Sequence, residues 1–319
     1  FLFLRLILEN INSSFLGGIL FAIHPVQTAS VAYISGRKDL LATFFLLLSV
    51  YWFVKWRRVG GWGRLILMGC AIFLAILSKE VAVIFPLLLL LLDLCVIRVH
   101  GVVRKTTLLA ETIKAGALFY TLVLAFAVLA LYYAIVWTEA SRMDGYWGDN
   151  LLNQWGTSFK LFVHYLKLAF VPYPLIADYT GVFPVSTGFT EPMTLFCLLV
   201  VVLYVVFAMR FFCNWPLLTL GMGWFFISLL PVLQIVGFHE ITADHFMYLP
   251  MVGVALSFGD LGARGLYSRS INVLVGTVIL CVFVIFSFLT VTRNWVWVDQ
   301  VTLWEDTYEK APDSYRANA

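Results

Sequence analysis

Long apolar runs, separated by short polar interruptions, are the main pattern along this chain. A helix needs roughly 20 residues, within a range of about 17–25, to cross the hydrocarbon of a bilayer. Six runs reach that length, at residues 40–56, 81–97, 115–137, 193–212, 216–236 and 271–292. Four shorter runs, at residues 15–23, 65–77, 159–171 and 248–258, predict tilted, re-entrant or interfacial helices. The pattern therefore predicts an all-α polytopic membrane protein with about ten membrane helices.

Composition supports a membrane protein and excludes a soluble domain. Hydrophobic residues make up 62% of the 319 residues and charged residues 12%, and the mean hydropathy is +0.93. Soluble domains usually hold about 45–50% apolar and about 25% charged residues. The cysteines lie in or beside apolar runs at no ligand-like spacing, so we expect small buried side chains rather than disulfides or a metal site. The sequence shows no glycine-rich phosphate loop and no nucleic-acid motif, and we expect no nucleic-acid partner.

The chain begins at Phe1, without Met, inside an apolar stretch. This stretch has no charged leader and no cleavage signature, so we do not expect it to be a signal peptide. We expect the sequence to be part of a longer protein.

The loops sort into a basic side and an acidic side when the spans are threaded alternately. The basic side includes the clusters at residues 55–58 and 98–105. Lys and Arg in short loops mark the cytoplasmic side of a membrane protein. The opposite side carries the long segment 138–192 and most of the histidines. Because long loops with polar residues often carry function, we expect an extracytoplasmic site, in the periplasm, at the cell exterior or in the ER lumen.

The first polar cluster comprises residues 24–28 (HPVQT) and 35–39 (SGRKD). Asp39 suits an N-cap, whose carboxylate accepts from free backbone N–H groups, and it equally suits a functional carboxylate. Arg37 and Lys38 are either cations at the membrane edge or, together with His24, a phosphate-binding edge.

Charged residues at 78–80 (SKE) interrupt two apolar runs with no loop between them. Charges at such a depth are costly, and they usually pair or mark a ligand path. Lys79 and Glu80 therefore form either a turn in the headgroup region or a site in which Lys79 faces a cavity and binds an anion.

The long outer segment contains further candidates. Basic residues at positions 160, 164 and 167 recur at helical spacing, which predicts an interfacial helix whose cations meet lipid headgroups or, as the alternative, a substrate. Asp178 and Tyr179 follow a PYP turn at 172–174. Trp147 lies in the turn-rich loop 144–150, where it suits either sugar binding or an aromatic belt.

Residues 243–250 (ADHFMYLP) lie where an outer loop enters a helix. His239, Asp244 and His245 have the residue types of metal ligands, but their spacing matches no standard metal motif, and we expect no metal. An N-capping role for Asp244 is the simpler alternative.

These clusters, in this order, resemble a known family. Residues 24–26 and 36–41 resemble its segment HPVHTEAVAWISGRKDLL, and residues 78–80 with Pro86 and Asp93 resemble its SKE…P…D stretch. Residues 243–250 resemble ADRYxYLP, and residues 303–314 resemble the lead-in to tetratricopeptide repeats. The family is the TMTC-like group of membrane proteins with a GT-C glycosyltransferase fold. On this resemblance, residues 1–292 form a GT-C-like transmembrane domain and residues 293–319 lead into the repeats.

The resemblance implies an enzyme that moves a sugar, typically mannose, from a polyprenyl- or dolichyl-phosphate to protein Ser or Thr hydroxyls outside the cytoplasm. The lipid-linked sugar is a substrate, and we expect no cofactor. Cations are expected to stabilise the leaving phosphate, and the candidates are His24, Arg37, Lys38, Lys79 and His245. The carboxylates available to activate the acceptor are Asp39, Glu80, Asp178 and Asp244. The side chains expected to contact lipid or sugar are Tyr179, Tyr248 and Trp147.

Three departures from the family pattern bear on this assignment. GT-C enzymes carry their main catalytic acid in the first outer loop, and we expect this chain to start beyond that loop. Gln27 and Ala29 stand where the family often has His and Glu. His245 occupies a position that is usually Arg, so a permanent cation becomes a titratable one.

Two other functions compete with the transferase. One is a non-catalytic membrane anchor that displays repeats for protein assembly. The other is a transporter, but transporters often have internal repeats and polar sites at mid-membrane. Here the two halves show no convincing repeat, and the polar clusters lie at one membrane edge, which argues against transport. We expect a bacterial plasma membrane or an ER membrane as the location.

Overall fold

The computed structural model describes residues 1–99, 125, 128, 147–235, 237, 240–268, 271–314 and 316–318, with the backbone alone at 96–99. The helices are α1 (Leu2–Leu8), α2 (Ile11–Ile23), α3 (Gln27–Ala32), α4 (Arg37–Val59), α5 (Trp62–Ser78), α6 (Phe85–Val99), α7 (Leu151–Phe170), α8 (Pro192–Phe211), α9 (Pro216–Leu229), α10 (Pro250–Tyr267), α11 (Asn272–Val296) and α12 (Gln300–Lys310). Short 3₁₀ turns lie at Ile34–Gly36, Glu80–Ile84, Leu230–Val232 and Asp244–Met247. The described residues contain no strand, and the prediction of an all-α protein is confirmed.

Three helical segments of the described part are long and apolar enough to cross a membrane: Ile34–Val59, Pro192–Phe211 and Asn272–Val296. Shorter apolar helices lie at Ile11–Ile23, Trp62–Ser78 and Pro216–Val232. Helices α8 and α11 leave most of their apolar side chains exposed, which suits contact with lipid rather than with water. The run predicted to span at 115–137 lies outside the described residues.

The run at 81–97 does not form one continuous helix. A 3₁₀ turn at Glu80–Ile84 comes first, and α6 starts at Phe85. Pro86 lies in the first turn of α6, where its missing N–H would have no helical partner in any case. The α-helix therefore begins four residues later than the apolar pattern predicts.

Helices α4 and α5 form an antiparallel hairpin that positions the candidate site. Gly60 and Gly61 both have positive φ, at 72° and 96°, which residues with a Cβ rarely adopt. The two glycines reverse the chain within a two-residue connection, so the end of α5 returns to the start of α4. The hairpin thereby places Lys79 beside the first turn of α4.

Helix α10 packs closely against two neighbours through small residues. A Cβ on Gly253 would lie 2.3 Å from the carbonyl oxygen of Gly221 on α9. A Cβ on Gly17 of α2 would lie 2.3 Å from the carbonyl oxygen of Ala255 on α10. Small residues that let backbones approach are typical of helix packing in membranes.

Ion pairs lie at both ends of α4. At the end of α4, Arg57 pairs with Asp93 at 2.8 Å and Arg58 pairs with Glu9 at 2.9 Å. At the start of α4 lies Asp39, and a helix of 23 residues is about 34 Å long. The basic cluster after Lys55 is therefore separated from the candidate site by about the thickness of a bilayer core.

Candidate functional site

A buried ion pair joins the start of α4 to the end of α5. The Nζ of Lys79 donates to Oδ1 of Asp39 at 2.5 Å, and the two side chains are 5% and 9% exposed. The residues are 40 positions apart in sequence, and the α4–α5 hairpin brings them together. Lys79 does not form the local turn with Glu80 that was one of the two interpretations, since Glu80 is exposed and Asp39 is the partner.

The pair lies beside an aromatic ring and a small cavity. Nζ of Lys79 is 4.9 Å from the centroid of the Phe246 ring, within range of a cation–π interaction. A cavity of about 20 Å³ is lined by Asp39, Thr43, Lys79 and Phe246, among others. Oδ2 of Asp39 is buried and has no hydrogen-bond partner among the described residues. The cavity is large enough for one water molecule or one hydroxyl group.

Two further cations lie on the first turn of α4. Arg37 and Lys38 are both exposed, and neither forms an ion pair with any described residue. Their guanidinium and ammonium groups are thus available to an anion at the membrane edge. The predicted cations Arg37, Lys38 and Lys79 are brought together at one end of the bundle.

His245 is close to this cationic group and is neutral at pH 7. Burial lowers the pKa of His245 to about 3, and the charges of Lys79 and Lys38 act in the same direction. Its Nε2 lies 3.9 Å from Oε2 of Glu240, whose pKa is raised by burial. The contact between His245 and Glu240 is therefore a contact of a neutral ring with a carboxyl group. The family that this sequence resembles usually has Arg at this position, whereas this chain has a neutral imidazole ring.

Asp244 and Tyr179 form a second buried pair. The Tyr179 hydroxyl donates to Oδ1 of Asp244 at 2.6 Å, and Oδ2 is buried with no hydrogen-bond partner among the described residues. Burial raises the pKa of Asp244 to about 6, although the nearby charge of Arg293 acts against this shift. Burial also raises the pKa of Tyr179 well above its ordinary value. The raised pKa makes Asp244 a stronger proton acceptor than an ordinary carboxylate.

Asp178 ties the outer loop to the C-terminal segment. Its Oδ1 accepts from the backbone N–H and the hydroxyl of Thr180, at 3.2 and 2.8 Å. Its Oδ2 accepts from the hydroxyl of Ser314 at 3.1 Å. Both oxygens of Asp178 are therefore engaged within the protein.

The remaining predicted residues lie around these pairs. His24 is fully buried; Val26 N–H donates to its Nδ1 at 3.3 Å, and its Nε2 lies 3.3 Å from the carbonyl oxygen of Ala169. The ring of Tyr248 meets that of Phe21 edge-on at 5.3 Å. Trp147 packs against the apolar cluster formed by α7 and the outer loops. A role for these side chains toward phosphate, lipid or sugar stays a prediction.

Helix α7 is present where an interfacial helix is predicted, but its cations do not form one exposed stripe. Lys160 is buried and pairs with Oε1 of Glu191 at 2.7 Å. The ring of His164 packs edge-on against Tyr179 and Phe183, and only Lys167 is exposed. The apolar face of α7 buries Lys160 because Glu191, at the start of α8, compensates its charge.

The C-terminal end of α11 contributes a cation that sequence analysis missed. Arg293 is 5% exposed and its Nη1 donates to Oδ2 of Asp306 on α12 at 2.6 Å. Lys310 pairs with the same carboxylate. Arg293 lies at the end of a long apolar run and is followed by an acidic segment. This charge at the end of an apolar run is the sequence feature that could have identified Arg293 as a buried, paired cation. Among the described residues, no three His, Cys, Asp or Glu side chains group as a metal site does.

Comparison with known proteins relates the chain to a set of transferases. It is 26% identical to the human protein O-mannosyl-transferase TMTC4, over 94% of this chain and 45% of that protein. It is 34% identical to the Drosophila melanogaster protein O-mannosyl-transferase Tmtc2 over 36% of this chain, and 40% identical to the Caenorhabditis elegans protein O-mannosyl-transferase F38B6.6 over 23% of it. The chain spans less than half the length of these relatives. No family model matches, and no solved structure gives a significant match. The resemblance to the TMTC family is confirmed.

Proposed function

We propose that this protein is a membrane glycosyltransferase that moves a sugar, with mannose as the first candidate, from a polyprenyl- or dolichyl-phosphate to Ser or Thr hydroxyls of proteins. The similarity to named protein O-mannosyl-transferases over 94% of the chain supports a glycosyltransferase. The observation that carries the site assignment is the buried Asp39–Lys79 pair, with a free carboxylate oxygen beside a cavity and two exposed cations on the same turn.

The reaction requires an exchange of bonds at the anomeric carbon. The bond between that carbon and the phosphate oxygen breaks, and a bond to the acceptor hydroxyl oxygen forms. The electron pair leaves with the phosphate, and the hydroxyl proton passes to a carboxylate. The site must therefore offer cations to the phosphate and a carboxylate to the acceptor.

Arg37, Lys38 and Lys79 supply the cations in our proposal. Lys79 donates to Asp39 and is buried, so in our proposal it acts on the phosphate through its charge, while the exposed Arg37 and Lys38 contact the phosphate directly. Donors placed in advance where charge develops stabilise the transition state. His245, being neutral, contributes a hydrogen bond rather than a charge to this set.

Asp39 is the carboxylate that we assign to the acceptor hydroxyl. Its Oδ2 is free of protein partners among the described residues, and the neighbouring cavity takes one hydroxyl group. Asp178 is less suited because both its oxygens accept from Thr180 and Ser314. Asp244, with its pKa of about 6, is the second choice for this role.

We propose that the site faces the extracytoplasmic side of a bacterial plasma membrane or, alternatively, of the ER membrane. The basic cluster of Lys55, Arg57 and Arg58 lies at the opposite end of α4, and such clusters favour the cytoplasm. A lipid-linked donor also suits a site at the membrane edge.

A second candidate function is a non-catalytic anchor that displays protein-binding repeats. Contacts within the protein favour the anchor, because they occupy the carboxylates that a transferase would need. Asp178 is fully engaged, and Asp39 and Asp244 each have one oxygen engaged. Transfer activity separates the two functions.

The test uses the complete gene product in membranes and measures transfer of radiolabelled mannose from polyprenyl-phosphate mannose to a Ser/Thr peptide. Arg37→Gln/Lys38→Gln is expected to lower transfer about tenfold or more, because each charge-assisted hydrogen bond contributes about 1.5–3 kcal/mol. Arg210→Gln is the matched control, since Arg210 is an exposed cation in the last turn of α8. Absence of transfer by the folded wild type, across a set of donor lipids, would favour the anchor. Equal transfer by the double variant and the control would refute the proposal that Arg37 and Lys38 bind the donor phosphate.

A further inference from the structure

Four side chains near the turn at Asp244 carry buried polar atoms that have no hydrogen-bond partner among the described residues. Both amide atoms of Gln27, Nε and Nη2 of Arg293, Nε1 of Trp297 and Oδ2 of Asp244 make six such atoms. Gln27, Asp244 and Arg293 are only 3–5% exposed. An unpaired buried polar atom destabilises a folded protein, so a group of six calls for a ligand or for ordered water.

The three elements that carry these side chains contact one another. The Ser30 hydroxyl on α3 donates to the carbonyl oxygen of His245, in the turn Asp244–Met247, at 3.2 Å. The Thr290 hydroxyl on α11 donates to the last carbonyl oxygen of α2, which leads into α3, at 2.6 Å. Gln27, the first residue of α3, therefore lies where α3, this turn and the end of α11 meet.

The end of α11 belongs to the same region. Cζ of Arg293 lies 5.9 Å from the ring of Trp297, and that ring is 6.0 Å from the ring of Tyr33, which follows α3. The charges of Arg293 and Lys310 both act on Asp244. We call the four side chains with unpaired atoms, at 27, 244, 293 and 297, the polar junction.

The polar junction offers both donors and acceptors. Nε and Nη2 of Arg293 form the edge of the guanidinium group that binds two oxygen atoms side by side, while Nη1 donates to Asp306. The indole N–H of Trp297 is a donor, Oδ2 of Asp244 is an acceptor, and the amide of Gln27 is both. A hydroxyl group also donates and accepts at once, whereas a phosphate or carboxylate oxygen without a proton only accepts. A ligand with several hydroxyl groups therefore matches the polar junction better than an anion does.

The charges of this region cancel. Arg293 and Lys310 both pair with Asp306, and Asp244 adds a second negative charge, so two cations face two carboxylates. A neutral ligand preserves this balance. A charged ligand would leave a buried charge without compensation, which is costly. The ligand that suits the polar junction is therefore neutral and carries several hydroxyl groups, as an uncharged sugar does.

The polar junction adjoins the cations that we assign to the donor phosphate. Phe246, two residues after Asp244, has its ring centroid 4.9 Å from Nζ of Lys79. The turn Asp244–Met247 thus contacts the cation site through one side chain and contributes another to the polar junction. A sugar attached to a phosphate at the start of α4 lies next to this turn.

We propose that the polar junction binds the hydroxyl groups of the sugar on the donor lipid, and that this sugar is a neutral hexose. The proposal rests on the transferase function and adds to it the residues that recognise the sugar. The unpaired atoms are buried, whereas the ring of Tyr33 is 45% exposed and that of Trp297 is half-buried. We therefore expect these two rings to move when the sugar enters.

The test compares ligands with and without a sugar. Farnesyl phosphate and its mannosyl, glucosyl, galactosyl and glucuronosyl esters are titrated calorimetrically into the complete gene product in micelles, without acceptor. Gln27→Met and Trp297→Phe each remove unpaired atoms and keep most of the side-chain volume. Trp295→Phe is the matched control, because Trp295 lies on the same helix but is 71% exposed. Melting temperature and mannose transfer are measured for the same proteins.

One of the neutral hexosyl esters is expected to bind the wild type about tenfold more tightly than farnesyl phosphate, and the glucuronosyl ester more weakly than the glucosyl ester. Gln27→Met and Trp297→Phe are each expected to weaken that hexosyl ester about five- to tenfold and to leave farnesyl phosphate nearly unchanged. Neither variant should melt at a lower temperature, because the atoms removed bond to no described residue. Trp295→Phe should match the wild type in every measurement.

Hexosyl affinity that is unchanged in both variants would overturn the proposal and would mean that the unpaired atoms bind ordered water only. An equal loss for farnesyl phosphate and its hexosyl esters would also overturn it. If Gln27→Met fails to fold, Trp297→Phe decides by the same criteria.

The sugar site and the transferase function can fail separately. Hexose-selective binding that both variants weaken, without transfer by the wild type, would support the sugar site and refute the transferase function. Transfer at wild-type rates and affinities by both variants would support the transferase and refute the sugar site. A folded wild type that binds no hexosyl ester would refute both.

Discussion

Separating Asp39 from Lys79 is the most informative perturbation of this protein. Both side chains are buried and joined at 2.5 Å, and removing one partner of a buried pair costs about 3–5 kcal/mol because it leaves an uncompensated charge. Lys79→Met leaves a buried carboxylate, so we expect a loss near the upper end of that range. Asp39→Asn leaves an ammonium group that keeps an amide oxygen and the Phe246 ring, the latter contributing up to about 2 kcal/mol. We therefore expect Asp39→Asn to destabilise the protein less than Lys79→Met.

The double variant Asp39→Asn/Lys79→Met removes both charges. Replacing a buried ion pair with neutral side chains of similar volume is often close to neutral for stability. The double variant is therefore expected to be more stable than Lys79→Met alone by about 2–4 kcal/mol, which is a large coupling energy for residues in contact. Thermal and denaturant unfolding of all four proteins in the same detergent measures this coupling.

Transfer activity of the same four proteins separates a structural role from a chemical one. If Lys79 binds the donor phosphate and Asp39 accepts the hydroxyl proton, the double variant recovers stability and stays inactive. Recovery of transfer along with stability would refute the chemical assignment. Single-variant losses that simply add in the double variant would refute the ion pair itself, since independent sites have no coupling energy.

Three further predictions concern the packing and titration of other sites. The pKa of Asp244 is about 6 in the folded protein and 3.8 ordinarily, so between these pH values the folded state binds more protons than the unfolded state. The free energy of unfolding should therefore fall by about 3 kcal/mol as the pH rises from about 4 to 6. Unfolding measured as a function of pH should show this slope, and Asp244→Asn should abolish it. Glu191→Gln should cost about 1–3 kcal/mol because Lys160 stays buried without its carboxylate, and adding Lys160→Met should recover much of the loss in melting experiments. Gly253→Ala should lower the free energy of unfolding by about 1–3 kcal/mol, because the added methyl group overpacks the contact between α9 and α10. Gly69→Ala on α5 is the control, since a Cβ there meets nothing within 4 Å, and it should leave the unfolding midpoint unchanged or raised.

The helices of this protein follow directly from its apolar pattern, because a bilayer requires both length and continuous hydrophobicity. The runs at 40–56, 193–212 and 271–292 match α4, α8 and α11 within a few residues. The beginning of α6 was not predicted from that pattern. Lys79 takes an extended conformation there, and a 3₁₀ turn separates it from the helix, so the boundary depends on local backbone geometry as well as on hydrophobicity.

The partners within the candidate site were less accessible from sequence. Lys79 has a carboxylate as its immediate neighbour, Glu80, and local spacing favours that pair. The structure pairs Lys79 instead with Asp39. The α4–α5 hairpin returns the chain to the start of α4, and Lys79 lies there in an extended conformation at the end of α5. Lys160 and Arg293 likewise pair with acids that are distant in sequence, Glu191 at the start of α8 and Asp306 on α12. The polar clusters could be located from sequence, but pairing across helices depends on packing.

The charges at this end of the bundle comprise internal pairs and exposed side chains. Burial is tolerated for Lys79 because a carboxylate compensates it, and His245 is neutral. Among the described residues, the exposed side chains here that form no ion pair include Arg37 and Lys38 on the first turn of α4 and also Glu80, whose charge acts on Asp39. A lipid phosphate drawn to this edge would therefore meet two cations and one carboxylate, which together carry a net positive charge. Two exposed cations at the membrane edge suit an anionic donor, whereas an anchor that binds only a partner protein has no need of them.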